Sequence, residues 1–176
     1  MTKDRYLEYR IQESLVEAEG FDLLTMGRPE GPGCYCFVNN LLRSLIDRLA
    51  KSYSYMVIDN EAGMEHLSRR TTRKMDFLFI VSDYSLIGLR SAKRILDLTK
   101  ELELEVKEAR LIINKAPDNA KRFEKELDNI EIPLAGVIPD DGGLFRLSLE
   151  GDNIGSLAED SQALKAANKI CESFLV

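Results

Sequence analysis

Two cysteines separated by one residue are the first feature of the chain that could do chemistry. Cys34 and Cys36 follow a segment rich in glycine and proline, residues 27–33. Their thiolates suit metal chelation better than a disulfide within the pair, and thiolates favour zinc, copper(I), nickel or iron–sulfur clusters. The same segment of a second subunit could complete a tetrahedral site. Alternatively, both are small buried hydrophobic residues at the start of a helix. Spacing alone leaves both interpretations open.

A carboxylate at the end of an apolar run is the second such feature. Residues 55–58 are large and mostly apolar, and Asp59 and Gly63 follow them. Such a run is typical of a buried parallel strand, and open α/β sheets bind ligands at the carboxyl ends of their strands. Asp59 could then hold a magnesium ion, and Gly63 could let backbone amides approach a phosphate. An aspartate can also end a strand by chance.

Two later strand ends carry weaker signals. Asn114-Lys-Ala-Pro117 is similar to the base-reading loop of P-loop nucleotide hydrolases, except that Pro117 stands where guanine-specific versions have an acid. Adenine is therefore the predicted base. Ile138-Pro-Asp-Asp141 is a similar case, with Pro139 in a loop that could flank the base. Both segments also fit ordinary turns, because asparagine, aspartate and proline are common turn residues.

The elements that must position these residues alternate between strands and helices. This order predicts an α/β sandwich of one domain, residues 1–176, with a five-stranded, mostly parallel sheet and helices on both faces. The predicted strands are residues 21–26, 55–58, 77–81, 109–113 and 134–138. The predicted helices are residues 6–18, 37–52, 65–74, 86–104, 118–127 and 156–174. Cys171 is predicted to lie in the core.

Composition limits the classes of partner and compartment. The net charge of −6 argues against nucleic acid as a main partner, because phosphate binding needs concentrated Lys and Arg. No apolar segment approaches the roughly 20 residues needed to span a bilayer. Three cysteines do not describe a disulfide framework, so we expect a cytoplasmic protein.

Taken together, several motifs resemble one family. Gly-Arg-Pro-Glu-Gly-Pro-Gly-Cys-Tyr-Cys, Asp-Asn-Glu-Ala-Gly-Met-Glu-His-Leu-Ser-Arg-Arg, Ile-Ile-Asn-Lys and Val-Ile-Pro-Asp-Asp resemble the MinD-like ATPases of carbon monoxide dehydrogenase maturation. These are the CooC-type nickel-insertion proteins, relatives of the nitrogenase iron protein. The resemblance covers nearly the whole chain. It implies a three-layer P-loop NTPase fold of the SIMIBI class.

The resemblance also implies roles for individual residues. Asp59 would be the Walker B carboxylate, and the segment ending at Gly63 would face the γ-phosphate of ATP bound with Mg²⁺. Asn114 and the loop at Pro139 would contact adenine. Cys34 and Cys36 would bind Zn²⁺ or Ni²⁺ in a Cys₄ site shared by a homodimer. The client would be a metalloenzyme such as carbon monoxide dehydrogenase.

One departure from the family affects the predicted activity. The pattern Gly-x4-Gly-Lys-[Ser/Thr] does not occur in these 176 residues, although its amides and lysine cradle the phosphates in the family. We therefore expect the first strand and phosphate loop of the fold to be missing, and the chain to be a truncated product. ATP binding by the chain alone is expected to be weak or absent. Two alternatives remain, a non-catalytic module for metal binding and dimerisation, and an iron-protein-like reductase component.

Overall fold

The structure, a computed structural model, describes residues 3–25, 43–44, 46–60, 67, 74–117, 127 and 130–174. The chain divides into two units, Met1–Thr72 and Arg73–Val176, and each is described by itself. The prediction of one domain stays a prediction.

The first unit begins with a helix and a β-hairpin. Helix α1 (Lys3–Glu13) is followed by strands β1 (Leu15–Ala18) and β2 (Phe21–Leu24), which pair antiparallel. The predicted helix over residues 6–18 is wrong at its end, where β1 lies instead. The cause is the turn between the strands, in which Gly20 has a φ of 86°, a left-handed conformation that glycine adopts without steric cost.

The apolar segment before Asp59 is not a strand. Residues 55–60 pair with no strand that the structure describes, so the predicted buried strand at 55–58 is wrong for this structure. Val57 is 83% exposed. A segment becomes a strand only when a neighbouring strand accepts and donates backbone hydrogen bonds in a ladder, and no described strand lies in such a ladder with this segment. Residues 43–44 and 46–49 are helical, in agreement with the predicted helix over 37–52.

The second unit contains the parallel sheet. Strands β3 (Lys74–Asp83), β4 (Glu105–Ala116) and β5 (Leu134–Pro139) lie in that order, and each pair is parallel. The predicted parallel α/β class is confirmed. The predicted count of five strands in one sheet is wrong for the described residues, since three form this sheet and the hairpin forms another. The predicted helix over 65–74 is wrong at Lys74, which is the first residue of β3.

One face of this sheet forms the core with helix α2 (Leu86–Glu101). Ile113 is fully buried there, and it packs with residues of β3, β4, α2 and the segment before β5. The buried residues of this cluster are Ile80, Leu89, Ala92, Leu111, Ile113, Ala116, Ile130 and Ile132. Alternation along β3 and β4 turns every second side chain toward this core.

The opposite face is covered by the last helix. After β5 come α3 (Gly142–Glu150), a 3₁₀ turn (Ile154–Ser156) and α4 (Gln162–Phe174). A Cβ at Gly136 of β5 would lie 2.6 Å from Ile170 Cγ1, so helix and strand are in close contact there. Helices therefore cover both faces, as predicted. The predicted helix over 156–174 begins later, at Gln162, and α3 was not predicted.

Truncation of Ile113 tests the core directly. Ile113→Ala is expected to lower the free energy of unfolding by about 3 kcal/mol, because the side chain leaves a cavity in packed surroundings. Ile87 on α2 is 76% exposed, and Ile87→Ala should change the free energy of unfolding by less than about 0.5 kcal/mol. Urea denaturation of both variants measures the difference. Equal losses would contradict the assignment of Ile113 to the core.

Candidate functional site

The carboxyl ends of the three parallel strands form the candidate site. Asp83 at the end of β3 pairs in register with Asn114 on β4, and Ala116 pairs with Pro139 on β5. Asn114 and Pro139 therefore end neighbouring strands at the same edge of the sheet, where open α/β folds bind ligands.

The end of β4 has an irregular backbone. The pairing with β5 shifts register between Ile113 and Ala116, and Lys115 between them has a φ of 54°. This is the left-handed region, which costs a residue with a Cβ about 1 kcal/mol or more. Asn114 Oδ1 accepts a hydrogen bond of 2.9 Å from Lys115 N and so supports this turn. The Nδ2 group of Asn114 supplies the donors that a ring nitrogen of adenine could accept.

The end of β5 is tied to the end of β4. The backbone N–H of Asp140 donates to the carbonyl of Ala116 at 2.9 Å. Asp140 itself is exposed, and Pro139 is half-buried. The two loops that were predicted to flank a base are thus joined by a main-chain hydrogen bond.

Asp141 accepts four hydrogen bonds beside this edge. Its Oδ1 accepts from Gly143 N at 2.8 Å and Leu144 N at 3.3 Å and caps α3, and its Oδ2 accepts from Ser161 Oγ at 2.7 Å and Ala163 N at 3.3 Å. These donors favour the carboxylate, the Ser161 hydroxyl most strongly, and hold the pKa of Asp141 at about 2. Asp141 is therefore charged at neutral pH.

The end of β3 leads into α2 through a second cap. Ser85 Oγ accepts from Gly88 N at 2.9 Å and donates to Asp83 Oδ1 at 2.7 Å. A Cβ at Gly88 would overlap with Asp83 Oδ1 and Ser82 Oγ, so a larger residue here would force these two side chains to move. Sequence reasoning missed the caps at Ser85 and Asp141. Each is a residue type that favours the N-cap and stands just before an apolar helical pattern, which is the signal that could have found them.

The other predicted site residues belong to the first unit. Asp59 is exposed in a segment of the first unit that is not a strand, so its predicted proximity to Asn114 and Pro139 stays a prediction. Gly63, Cys34 and Cys36 lie outside the described residues. Cys171 is a free thiol on an exposed part of α4, so its predicted core position is wrong. α4 turns Ile170 rather than Cys171 toward β5.

In the described part of the chain, no group of three or more His, Cys, Asp or Glu side chains is arranged to hold a metal ion. Across the same ranges, every helix is too short or too polar to cross a membrane.

Comparison with known proteins identifies the family. No family model matches the chain. The chain is 43% identical over 176 residues to the Uncharacterized ATP-binding protein MJ0685 of Methanocaldococcus jannaschii, which covers 99% of this chain and 70% of that protein. A solved ParA family ATPase from Chlorobium tepidum superposes with a TM-score of 0.70 at 25% identity, over 96% of this chain and 69% of the other. The chain belongs to the MinD/ParA family of ATP-binding P-loop proteins.

A more specific similarity covers half of the chain. The carbon monoxide dehydrogenase accessory protein CooC of Rhodospirillum rubrum is 34% identical over 97 residues, which span 53% of this chain and 37% of CooC. The family is thus established, whereas the similarity to CooC is partial.

Proposed function

We propose that this chain is the base- and metal-binding part of a CooC-type accessory ATPase that delivers nickel to carbon monoxide dehydrogenase. Membership of an ATP-binding family supports the binding of ATP. The partial similarity to CooC supports nickel as the metal that is delivered. The observation that carries the proposed nucleotide site is the pairing of Ala116 with Pro139, which brings the ends of β4 and β5, and with them Asn114 and Pro139, to one edge of the sheet.

The edge is chemically suited to adenine. Asn114 Nδ2 can donate to a ring nitrogen, while its Oδ1 is held by Lys115 N. Pro139 offers an apolar ring to the base from the next strand. In this function Asp59 would hold Mg²⁺, and the backbone at Gly63 would approach the γ-phosphate.

The metal part rests on Cys34 and Cys36. Two thiolates from each of two chains would make a tetrahedral Cys₄ site for Zn²⁺ or Ni²⁺, closed only in a homodimer. ATP-driven rearrangement of that dimer would release the metal to the client enzyme.

A second candidate is a non-catalytic module that keeps the dimer and the metal site. The observation that favours it is the lack of a Gly-x4-Gly-Lys-[Ser/Thr] pattern in these 176 residues. An iron-protein-like reductase component would instead hold an iron–sulfur cluster at the cysteines, and visible absorbance of the purified protein would identify it.

A nucleotide titration followed by NMR tests the base site. We expect millimolar Mg-ADP to shift the amide resonances of Asn114, Lys115 and Asp140, because the base would contact the loops that carry them. Asn114→Ala should remove these shifts. Asn153 caps the 3₁₀ turn, and Asn153→Ala is the matched control that should leave them unchanged. Shifts confined to other parts of the chain, or none, would contradict the proposal.

A further inference from the structure

The loop after β5 is held on both sides. On one side the Asp140 N–H donates to the Ala116 carbonyl at 2.9 Å, two residues after Asn114. On the other side the Asp141 carboxylate receives its four hydrogen bonds from the starts of α3 and α4. The loop of Pro139 and Asp140 is therefore held by hydrogen bonds to the end of β4 and to the starts of α3 and α4.

The surroundings of Oδ2 of Asp141 favour an acceptor, because the Ala163 N–H beside it can only donate. Ser161 is buried, and its Oγ accepts from Leu164 N at 3.1 Å. Its single hydroxyl proton is directed to Asp141, since a hydroxyl has one donor. The N–H of Ala163 is a second donor to the same oxygen. An amide nitrogen in place of Oδ2 would face the Ala163 N–H, which can only donate, and the charge-assisted hydrogen bond from Ser161 would be lost with the carboxylate.

We propose that Asp141 is a positioning residue for the base-binding edge. Resting on the nucleotide site proposed above, this role deepens it: the bonds from Oδ2 to Ser161 and Ala163 hold the Pro139–Asp140 loop against the end of β4, next to Asn114. Asp141 does not itself contact the base. It acts through the loop that does.

Hydrogen exchange in the full chain tests this role. Asparagine is as good an N-cap as aspartate, so Asp141→Asn should keep Gly143 N and Leu144 N protected while losing the contacts to Ser161 and Ala163. We expect the Asp140 amide to exchange at least about tenfold faster, the effect of losing one charge-assisted hydrogen bond. The amide of Ile113 in the core should keep its exchange rate.

Two further variants keep the test decisive. Ser161→Ala removes one donor without changing the carboxylate, and it should speed exchange of the Asp140 amide in the same direction by a smaller factor. Asp152→Asn changes an exposed aspartate just after α3 and should have no effect. An unchanged Asp140 amide in Asp141→Asn overturns the proposal. Faster exchange throughout residues 74–174 overturns it too, because Asp141 would then support the fold in general.

Repeating the exchange measurement with millimolar Mg-ADP separates this proposal from the proposed function. In the parent chain, nucleotide should slow exchange at Asp140, and Asp141→Asn should weaken that protection. Local loosening in the variant without any nucleotide effect in the parent overturns the base site alone. A nucleotide effect that Asp141→Asn leaves unchanged overturns the positioning role alone.

Discussion

Addition of Zn²⁺ or Ni²⁺ to the purified chain is expected to raise its dimer fraction, with about one metal ion per two chains for a tetrahedral Cys₄ site. Metal and dimer should be linked, because each chain supplies half of the ligands and each binding step strengthens the other by the same factor. Analytical ultracentrifugation with metal and with chelator measures the shift.

Cysteine variants decide whether Cys34 and Cys36 are responsible. Cys34→Ala or Cys36→Ala should abolish the metal-dependent dimer, because two ligands of the shared site are lost at once. Cys171→Ala is the matched control, since Cys171 is an exposed free thiol on α4. It should dimerise with metal as the parent does. A double variant at positions 34 and 36 that still dimerises with metal would remove the main support for a metallochaperone.

Isothermal titration of the 176-residue chain with Mg-ATP is expected to give a Kd of about 1 mM or weaker. The base-binding edge alone offers few contacts, and the amides and lysine of a phosphate loop supply most of the contacts to the phosphates in this class of fold. Low-micromolar binding would show that the loop is not required.

Asp59 can be tested in a version of the chain that is joined to a phosphate-loop segment. This version should bind Mg-ATP tightly enough to hydrolyse it. There Asp59→Asn should lower turnover about 100-fold or more, because a group that orients Mg²⁺ acts where charge develops. Asp59 is exposed, so the Tm of the Asp59→Asn variant should differ little from that of the parent. Asp47→Asn, at another exposed aspartate of the first unit, should leave turnover unchanged.

The second unit was largely predictable because its signals are local. The apolar runs at residues 77–81, 109–113 and 134–138 lie within β3, β4 and β5, and the amphipathic pattern after Ser85 marks α2. Parallel pairing followed from the helices between the strands. Since parallel strands end at one edge, the shared position of Asn114 and Pro139 also followed.

The first unit was predicted less well because hydrophobicity does not identify a partner. Residues 15–18 continue a helical spacing, yet they pair with 21–24 across a two-residue turn. Residues 55–58 have the composition of a buried strand, and the described structure provides no strand beside them. In both cases the outcome depends on which backbone lies alongside.

The sequence by itself determined the parallel α/β class, the strand ends that carry Asn114 and Pro139, and the motifs that indicate an ATP-binding family. These follow from patterns within about 20 neighbouring residues. Only the tertiary structure decided that Asp141 binds Ser161, that Cys171 is exposed, and that the segment before Asp59 is not a strand. Such facts depend on hydrogen bonds and burial between residues far apart in the chain, which no local pattern encodes.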